Sequence, residues 1–243
     1  MIVNEIFKED VNERFNKLIE VIKNNGFEYF QTNYGVFINA DNKDVIKVLP
    51  KYLINVVITD PPYLLSSDNF TKKREDYGDE SSIFMIEDGL YNLLPLNSWF
   101  IIYWSVKNLS TIFKLKKFKY KWMLIAIFTS SVSKSVIGDR RYFPIFCFTK
   151  GEPKVVFRRP DVVYTEELPF VQERIKKPDF KPTGINVRLL QMFVKKSDIV
   201  FDPFAGYGSL QVVAEIFKRY WIAVEKNKER YEAAKNLITN WLI

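Results

Sequence analysis

A chain of 243 residues, 47% hydrophobic and 27% charged, is long enough to bury a sizeable core and suits one globular domain. It has no histidine, which removes the commonest general base and metal ligand together, and its one cysteine, Cys147 in the apolar run 143–148, excludes a disulfide framework. The formal charge of +7 suits a polyanionic partner, although each basic cluster (114–121, Arg140 with Arg141, Arg158 with Arg159, 174–177) taken alone reads as a solvated face.

No signal-peptide pattern stands near Met1, and the longest apolar runs, 99–104 and 122–128, fall far short of a membrane span. The expectation is a soluble, cytoplasmic protein.

In chain order, Val11, Phe15, Leu18, Ile19 and Ile22 share one helical face, and Asn24-Asn25-Gly26 supplies the stop. A short strand over 36–39, the acid Asp41, a helical stretch over 43–49 and a strand over 56–59 lead into Asp60. Ser81 and Ser82 suit the cap of a helix that Pro95 ends, and 99–104 reads as a strand. Val106, Leu109, Ile112 and Phe113 suit a further helix, and 122–129 and 143–149 two more strands. Pro153, Pro160, Pro169 and Pro178 mark 151–182 as loop-rich, not a separate domain. Thr183 then suits the cap of a helix carrying Ile185, Leu189, Leu190 and Phe193. A strand over 198–201, a glycine turn, a helix over 210–218, a strand over 220–224 and a helix to 241 follow. The alternation is that of an α/β domain, and its last third is a Rossmann-like half.

Two stretches need a chemical explanation. In "NVVITDPPYLL" an apolar strand stops at Asp60-Pro61-Pro62-Tyr63, where neither proline can donate to a ladder. In "FDPFAGYGS", residues 201–209, Gly206 and Gly208 let the backbone approach a ligand at a helix N-terminus. The position three beyond Gly208 is Gln211, so the third glycine of a dinucleotide site is missing, while Glu225 at the next strand end could accept both hydroxyls of a ribose. These features describe a nucleoside site without a pyrophosphate. Singly, Asp41 reads as a helix cap, Glu225 as a surface acid and Lys181 as a solvated loop charge.

Together, "DPPY" after a strand and "DPFAGYGS" followed by an acid at the next strand end resemble the S-adenosylmethionine-dependent amino-methyltransferases of DNA. "INADNKDVIKVLP" resembles the strand and acid that precede the family's catalytic tetrapeptide, and "KPDFKP" its "HPxxKP" segment. The tetrapeptide precedes the glycines, as in the family's β arrangement. The resemblance implies a Rossmann-like class I methyltransferase fold with circularly permuted motif order and a mostly parallel sheet with one reversed strand. The active site would lie at the carboxyl ends of the strands. One methyltransferase domain would span 1–243, with a helical extension over 1–35, a catalytic half over 36–150, a short target-recognition-like loop region over 151–182 and a cofactor half over 183–243.

The resemblance assigns catalysis to Asp60, Pro61, Pro62 and Tyr63. It gives the cofactor's ribose to Glu225 and its adenine end to Asp41 and Asn42. Lys181, Asp202, Phe204, Ala205, Gly206, Gly208 and Ser209 would take the methionine end. Two departures stand out: Lys177 where histidine is usual, and Tyr207-Gly208-Ser209 in place of serine, glycine, threonine. The chemistry fits a weak nucleophile, because acceptors at Asp60 and the Pro61 carbonyl would draw the amine's lone pair out of conjugation, while Tyr63 stacks on a flipped base.

The expected reaction is methylation of the N6 amino group of adenine in double-stranded DNA. Cytosine N4 and a catalytically silent nucleic-acid-binding subunit are the alternatives. Nucleic-acid contacts are expected at Lys72, Lys73 and Arg74, at Arg140 and Arg141, and at Arg158 and Arg159. Neither metal nor membrane is expected, and a homodimer is left open.

Overall fold

The computed structural model describes residues 10–62, 81–128, 133–135, 138–164 and 181–242. The elements in order are α1 (Val11–Asn24), β1 (Glu28–Gln31), β2 (Gly35–Asn39), α2 (Asn42–Val48), β3 (Val56–Thr59), α3 (Ser81–Leu93) and β4 (Ser98–Tyr103). A 3-10 helix (Val106–Lys114), β5 (Lys119–Ile127), β6 (Ser133–Ser135), β7 (Gly138–Arg140), β8 (Tyr142–Lys150) and β9 (Val162–Tyr164) follow. The chain then forms α4 (Thr183–Phe193), β10 (Ile199–Asp202), α5 (Ser209–Ile216), β11 (Tyr220–Val224) and α6 (Lys228–Leu242).

Except for β6 and β7, which pair with each other, the strands form one nine-stranded sheet in the order β1-β2-β11-β10-β3-β4-β8-β5-β9. From β2 to β4 every pairing is parallel. The central strands β3, β4 and β10 are buried along their whole length, which explains their unbroken apolar runs: strands covered on both faces have no polar side to alternate with. Strand β8 runs against both β4 and β5, as the expected reversed strand, and β1 adds a second reversed strand at the far edge.

Helices cover both faces. Phe15 and Leu18 of α1, Val45 of α2, and Ile86 and Leu90 of α3 pack in one apolar cluster. Leu189 and Leu190 of α4, Val213 of α5, and Tyr231 and Ala234 of α6 pack in the other. Each of the buried leucine, isoleucine, valine and phenylalanine side chains contributes about 1.5–3 kcal/mol, most of it offset by lost chain entropy.

Several local expectations change. The face 106–113 does not form a regular helix. Asn108, at φ −114° and ψ 30°, interrupts the turn, and within a 3-10 helix of different period only Ile112 is buried, while Leu109 and Phe113 stay exposed. Thr183 does not cap α4: Pro182 holds that position, and Thr183 is the buried first helical residue. The side chains of Ser81 and Ser82 lie outside the described residues. Strand β9 rises from the stretch expected as loop, and β1 from the stretch expected as a helical extension.

The run of parallel strands puts Asn39, Val224, Asp202, Thr59 and Tyr103 at one edge of the sheet. The reversed β8 delivers its first residues, Tyr142 and Phe143, to that same edge, opposite the end of β5, with Ile145 opposite the end of β4.

Candidate active site

Strands β3 and β10 are neighbours, so Asp60 and Asp202 follow adjacent strands to the same edge. The link is direct: the Thr59 hydroxyl donates to Asp202 Oδ1 at 2.8 Å. Asp202 also accepts from the Phe204 amide at 3.1 Å and from Gln211 Nε2 at 3.1 Å. Burial nonetheless outweighs these bonds and, with the nearby charge of Asp60 adding to it, pushes the Asp202 carboxyl up to about 6.

After Asp202 the chain turns tightly. Gly206 and Gly208 take φ of +55° and +77°, a region that side chains with a Cβ rarely adopt. The two glycines differ in surroundings. A Cβ on Gly208 would lie 3.1 Å from the Ala234 Cβ of α6, whereas one on Gly206 would meet nothing within 4 Å. The turn is pinned to β11 by the Ala205 amide donating to the Val224 carbonyl at 3.0 Å, and it opens onto the N-terminus of α5. Tyr207 sits half-buried with the Arg230 guanidinium 5.8 Å from its ring centre.

Glu225 follows β11 and is almost fully buried. Its Oε2 accepts from the Gly206 amide at 2.9 Å and its Oε1 from the Asn227 amide at 2.7 Å. Burial pushes this carboxyl above its ordinary range, against the pull of those bonds. Asp41, after β2, caps α2 through the Lys43 amide at 3.0 Å and pairs with Lys226 at 3.0 Å. Partial burial raises its carboxyl, but the Lys43 amide and Lys226 prevail and hold it below the usual value. Asn42 donates to the Pro203 carbonyl at 3.1 Å, which ties the start of α2 to the turn.

On the other side of Asp60 stands Lys181, just ahead of α4, whose Nζ lies 2.5 Å from Asp60 Oδ2. The same ammonium lies 4.9 Å from the ring centre of Phe143 and 5.7 Å from that of Tyr103. The Tyr103 phenol is fully buried. Burial, then the charges of Asp60 and Asp202, push it well above its ordinary value, so it acts as a neutral donor to Asn186 Oδ1 at 2.9 Å. Asn186 in turn donates to the Ser209 hydroxyl at 3.2 Å.

The structure therefore brings Asp60, Asp202, Phe204, Ala205, Gly206, Gly208, Ser209, Glu225, Asp41, Asn42 and Lys181 to one edge of the sheet, with Pro61 and Pro62 following Asp60. Tyr63, Lys72, Lys73, Arg74 and Lys177 lie outside the described residues. Arg140 and Arg141 precede β8 at the site's edge, with the Arg140 guanidinium 4.7 Å from the Phe143 ring centre. Arg158 and Arg159 are exposed ahead of β9, a strand that stands four places, roughly 19 Å at about 4.8 Å per strand, from β3. The sequence reading missed Thr59, Tyr103, Asn186 and Gln211. Their polar atoms stand at strand ends or on helices that the fold turns toward the edge, and a polar residue closing an apolar run was the one signal available. Among the described residues no group of three acidic, cysteine or histidine side chains could hold a metal ion, and no helix is long and apolar enough to cross a membrane.

A family model described as DNA methylase, of the N6/N4 methyltransferase type, matches residues 102–236. The type II methyltransferase M.HpaI of Haemophilus parainfluenzae is 27% identical over 224 residues, covering 78% of this chain and 69% of the relative. The crystal structure of the M1.HpyAVI–SAM complex superposes with a TM-score of 0.62 at 21% identity, covering 82% of this chain and 97% of that one. PvuII DNA methyltransferase, cytosine-N4-specific, superposes with a TM-score of 0.68 at 16% identity, covering 89% and 94%. Both likenesses are of fold, and they agree with the class I arrangement of the sheet.

Proposed function

The chain belongs to the N6/N4 family of DNA methylases, and from that premise we propose that it transfers a methyl group from S-adenosylmethionine to the N6 amino group of a flipped adenine in double-stranded DNA. The observation that carries this reading is the junction of β3 and β10, where the Thr59–Asp202 hydrogen bond joins the strand of Asp60 to the strand of the glycine turn.

The residues fit the cofactor. The space above Gly206 is open, and Glu225, which accepts from the backbone amides of Gly206, Lys226 and Asn227, retains part of its roughly four acceptor positions for the ribose. Asp41 and Asn42 stand at the adjoining end of β2 for the adenine, and the turn from Asp202 to Ser209 would enclose the methionine end. When bound, the cofactor supplies an electrophilic methyl on a sulfonium.

The protein's part is to make the amine nucleophilic. Asp60 and the Pro61 carbonyl each accept one N–H of the target, so the nitrogen becomes pyramidal and its lone pair leaves the ring. The methylated nitrogen is then an acidic ammonium that releases one proton, so no imidazole is required. Tyr63 is proposed to stack on the base, contributing about 1–3 kcal/mol against a flipping cost of a few kcal/mol. Net affinity then falls to phosphate contacts, for which Lys72, Lys73, Arg74, Arg140 and Arg141 are the candidates, and Arg158 and Arg159 for a duplex that reaches across β8 and β5.

The test is to incubate the protein with methyl-labelled cofactor and unmethylated duplex DNA, then digest to nucleosides. Label in deoxyadenosine that vanishes in Asp60→Ala is the expected result. Label in deoxycytidine would correct the base, an outcome kept in view because one fold neighbour is cytosine-N4-specific. Cofactor binding without transfer to any DNA would identify a silent subunit.

A further inference from the structure

We propose that Lys181 is a positioning residue for Asp60, an ion-pair partner that fixes the acceptor carboxylate, and not a ligand of the cofactor. The inference rests on the methyltransferase reading above. Its ammonium lies 2.5 Å from Asp60 Oδ2, and the two side chains are only 15% and 24% exposed. That is far from the screened surface pairs elsewhere in the chain, such as Lys47 with Asp44 at 73% and 61% exposure.

The surroundings define the ammonium's position from several directions. The rings of Phe143 and Tyr103 lie 4.9 and 5.7 Å from Nζ, distances at which a ring's negative face attracts a cation. Tyr103 is itself held by Asn186, which is held by Ser209 at the start of α5. Among the described residues, the titratable groups that face Asp60 include Lys181, Tyr103 and Asp202. Asp202 is buried and carries the same sign as Asp60, so the cation stands where two acids would otherwise crowd each other.

The chemistry favours this role. An ammonium has three donors and no acceptor, so it cannot take a proton from the target amine. A carboxylate has about four acceptor positions, so one bond from Lys181 to Oδ2 leaves capacity for the N–H that must be localised. An uncompensated lysine beside a sulfonium would repel it, whereas one paired with Asp60 brings no net charge to the donor.

The experiment uses the full chain with Lys181→Met and Lys181→Arg. Calorimetric titration with S-adenosylmethionine gives cofactor affinity, and transfer to duplex DNA at saturating cofactor gives kcat and KM. The expected result for Lys181→Met is a loss of about 30-fold or more in kcat, with cofactor Kd and DNA KM within about threefold of the wild type. Lys181→Arg, which keeps the charge but not the shape, recovers part of the loss. Weakening of cofactor binding by about tenfold or more with kcat retained at saturation would overturn the proposal.

A second arm does not depend on turnover. In a denaturation cycle with Asp60→Asn, the cost of Lys181→Met should largely disappear when Asp60 is already neutral, and additive costs would overturn the pairing. Absence of methyl transfer by the wild type would instead count against the reaction assigned to the enzyme, and the cycle would still decide whether the pair exists.

Discussion

At Asp202 three hydrogen bonds fail to compensate for burial, and the carboxyl is pushed from its ordinary 3.8 up to about 6. A folded-state value above the unfolded one means that the native state binds the proton more tightly. The resulting stability is complete below about pH 4 and is lost as pH rises through about 6, by at most about 3 kcal/mol. Asp202→Asn removes this contribution. In urea melts between about pH 4 and 7, the stability of the wild type relative to the variant should therefore fall with rising pH, and a flat difference would contradict the assignment. The paired glycines make a second prediction, because they share a left-handed backbone that only a substituted side chain would strain and are surrounded differently. Gly208→Ala should destabilise the fold by about 1–2 kcal/mol through its left-handed backbone and its contact with Ala234, measured by denaturant midpoint. Gly206→Ala should cost about 1 kcal/mol in strain alone and weaken S-adenosylmethionine binding more than Gly208→Ala does, measured by titration. Asp60 and these glycines were legible in the sequence because each motif is contiguous. The pairing of Lys181 with Asp60 and the Tyr103–Asn186–Ser209 chain were not, since each joins residues that only the folded sheet makes neighbours.

The strands of the interior announced themselves, since continuous runs such as 56–59 and 220–224 have few other ways to be buried. The edges did not. Strand β1 reads Glu-Tyr-Phe-Gln with exposed ends, and β9 is three residues long just after Pro160, so neither carries enough pattern to be told from loop. Strand β2 shows how closely neighbouring strands are fitted: a Cβ on Gly35 would fall 1.7 Å from the indole of Trp221 on β11. That indole cannot easily yield, because its N–H donates at 2.8 Å to Glu215, which also accepts from Thr32 at 2.8 Å. Gly35→Ala should therefore cost about 3 kcal/mol or more, at the upper end for overpacking, seen as a large drop in denaturation midpoint. A loss under about 1 kcal/mol would show that the β2–β11 contact is looser than it looks.

From an excess of seven positive charges, composition could name the partner's sign but not its docking face. The fold narrows the choice, because Arg140 and Arg141 stand at the edge that carries Asp60. If each meets one phosphate, Arg140→Ala and Arg141→Ala should each reduce the slope of log affinity against log salt by about 1, measured by fluorescence anisotropy on duplex DNA. Unchanged slopes would move the footprint elsewhere.

The sheet order has a further implication. Strands β10 and β11 insert between β2 and β3, so a segment translated late occupies the middle of a layer whose other strands are made early. As the polypeptide leaves the ribosome, β3 must wait for β10, which ends at residue 202, and β2 for β11, which ends at residue 224, before either gains its inner neighbour. Such a nascent chain exposes oily ribbon for most of its synthesis and closes its longest contacts last, the interval in which misassociation competes with folding.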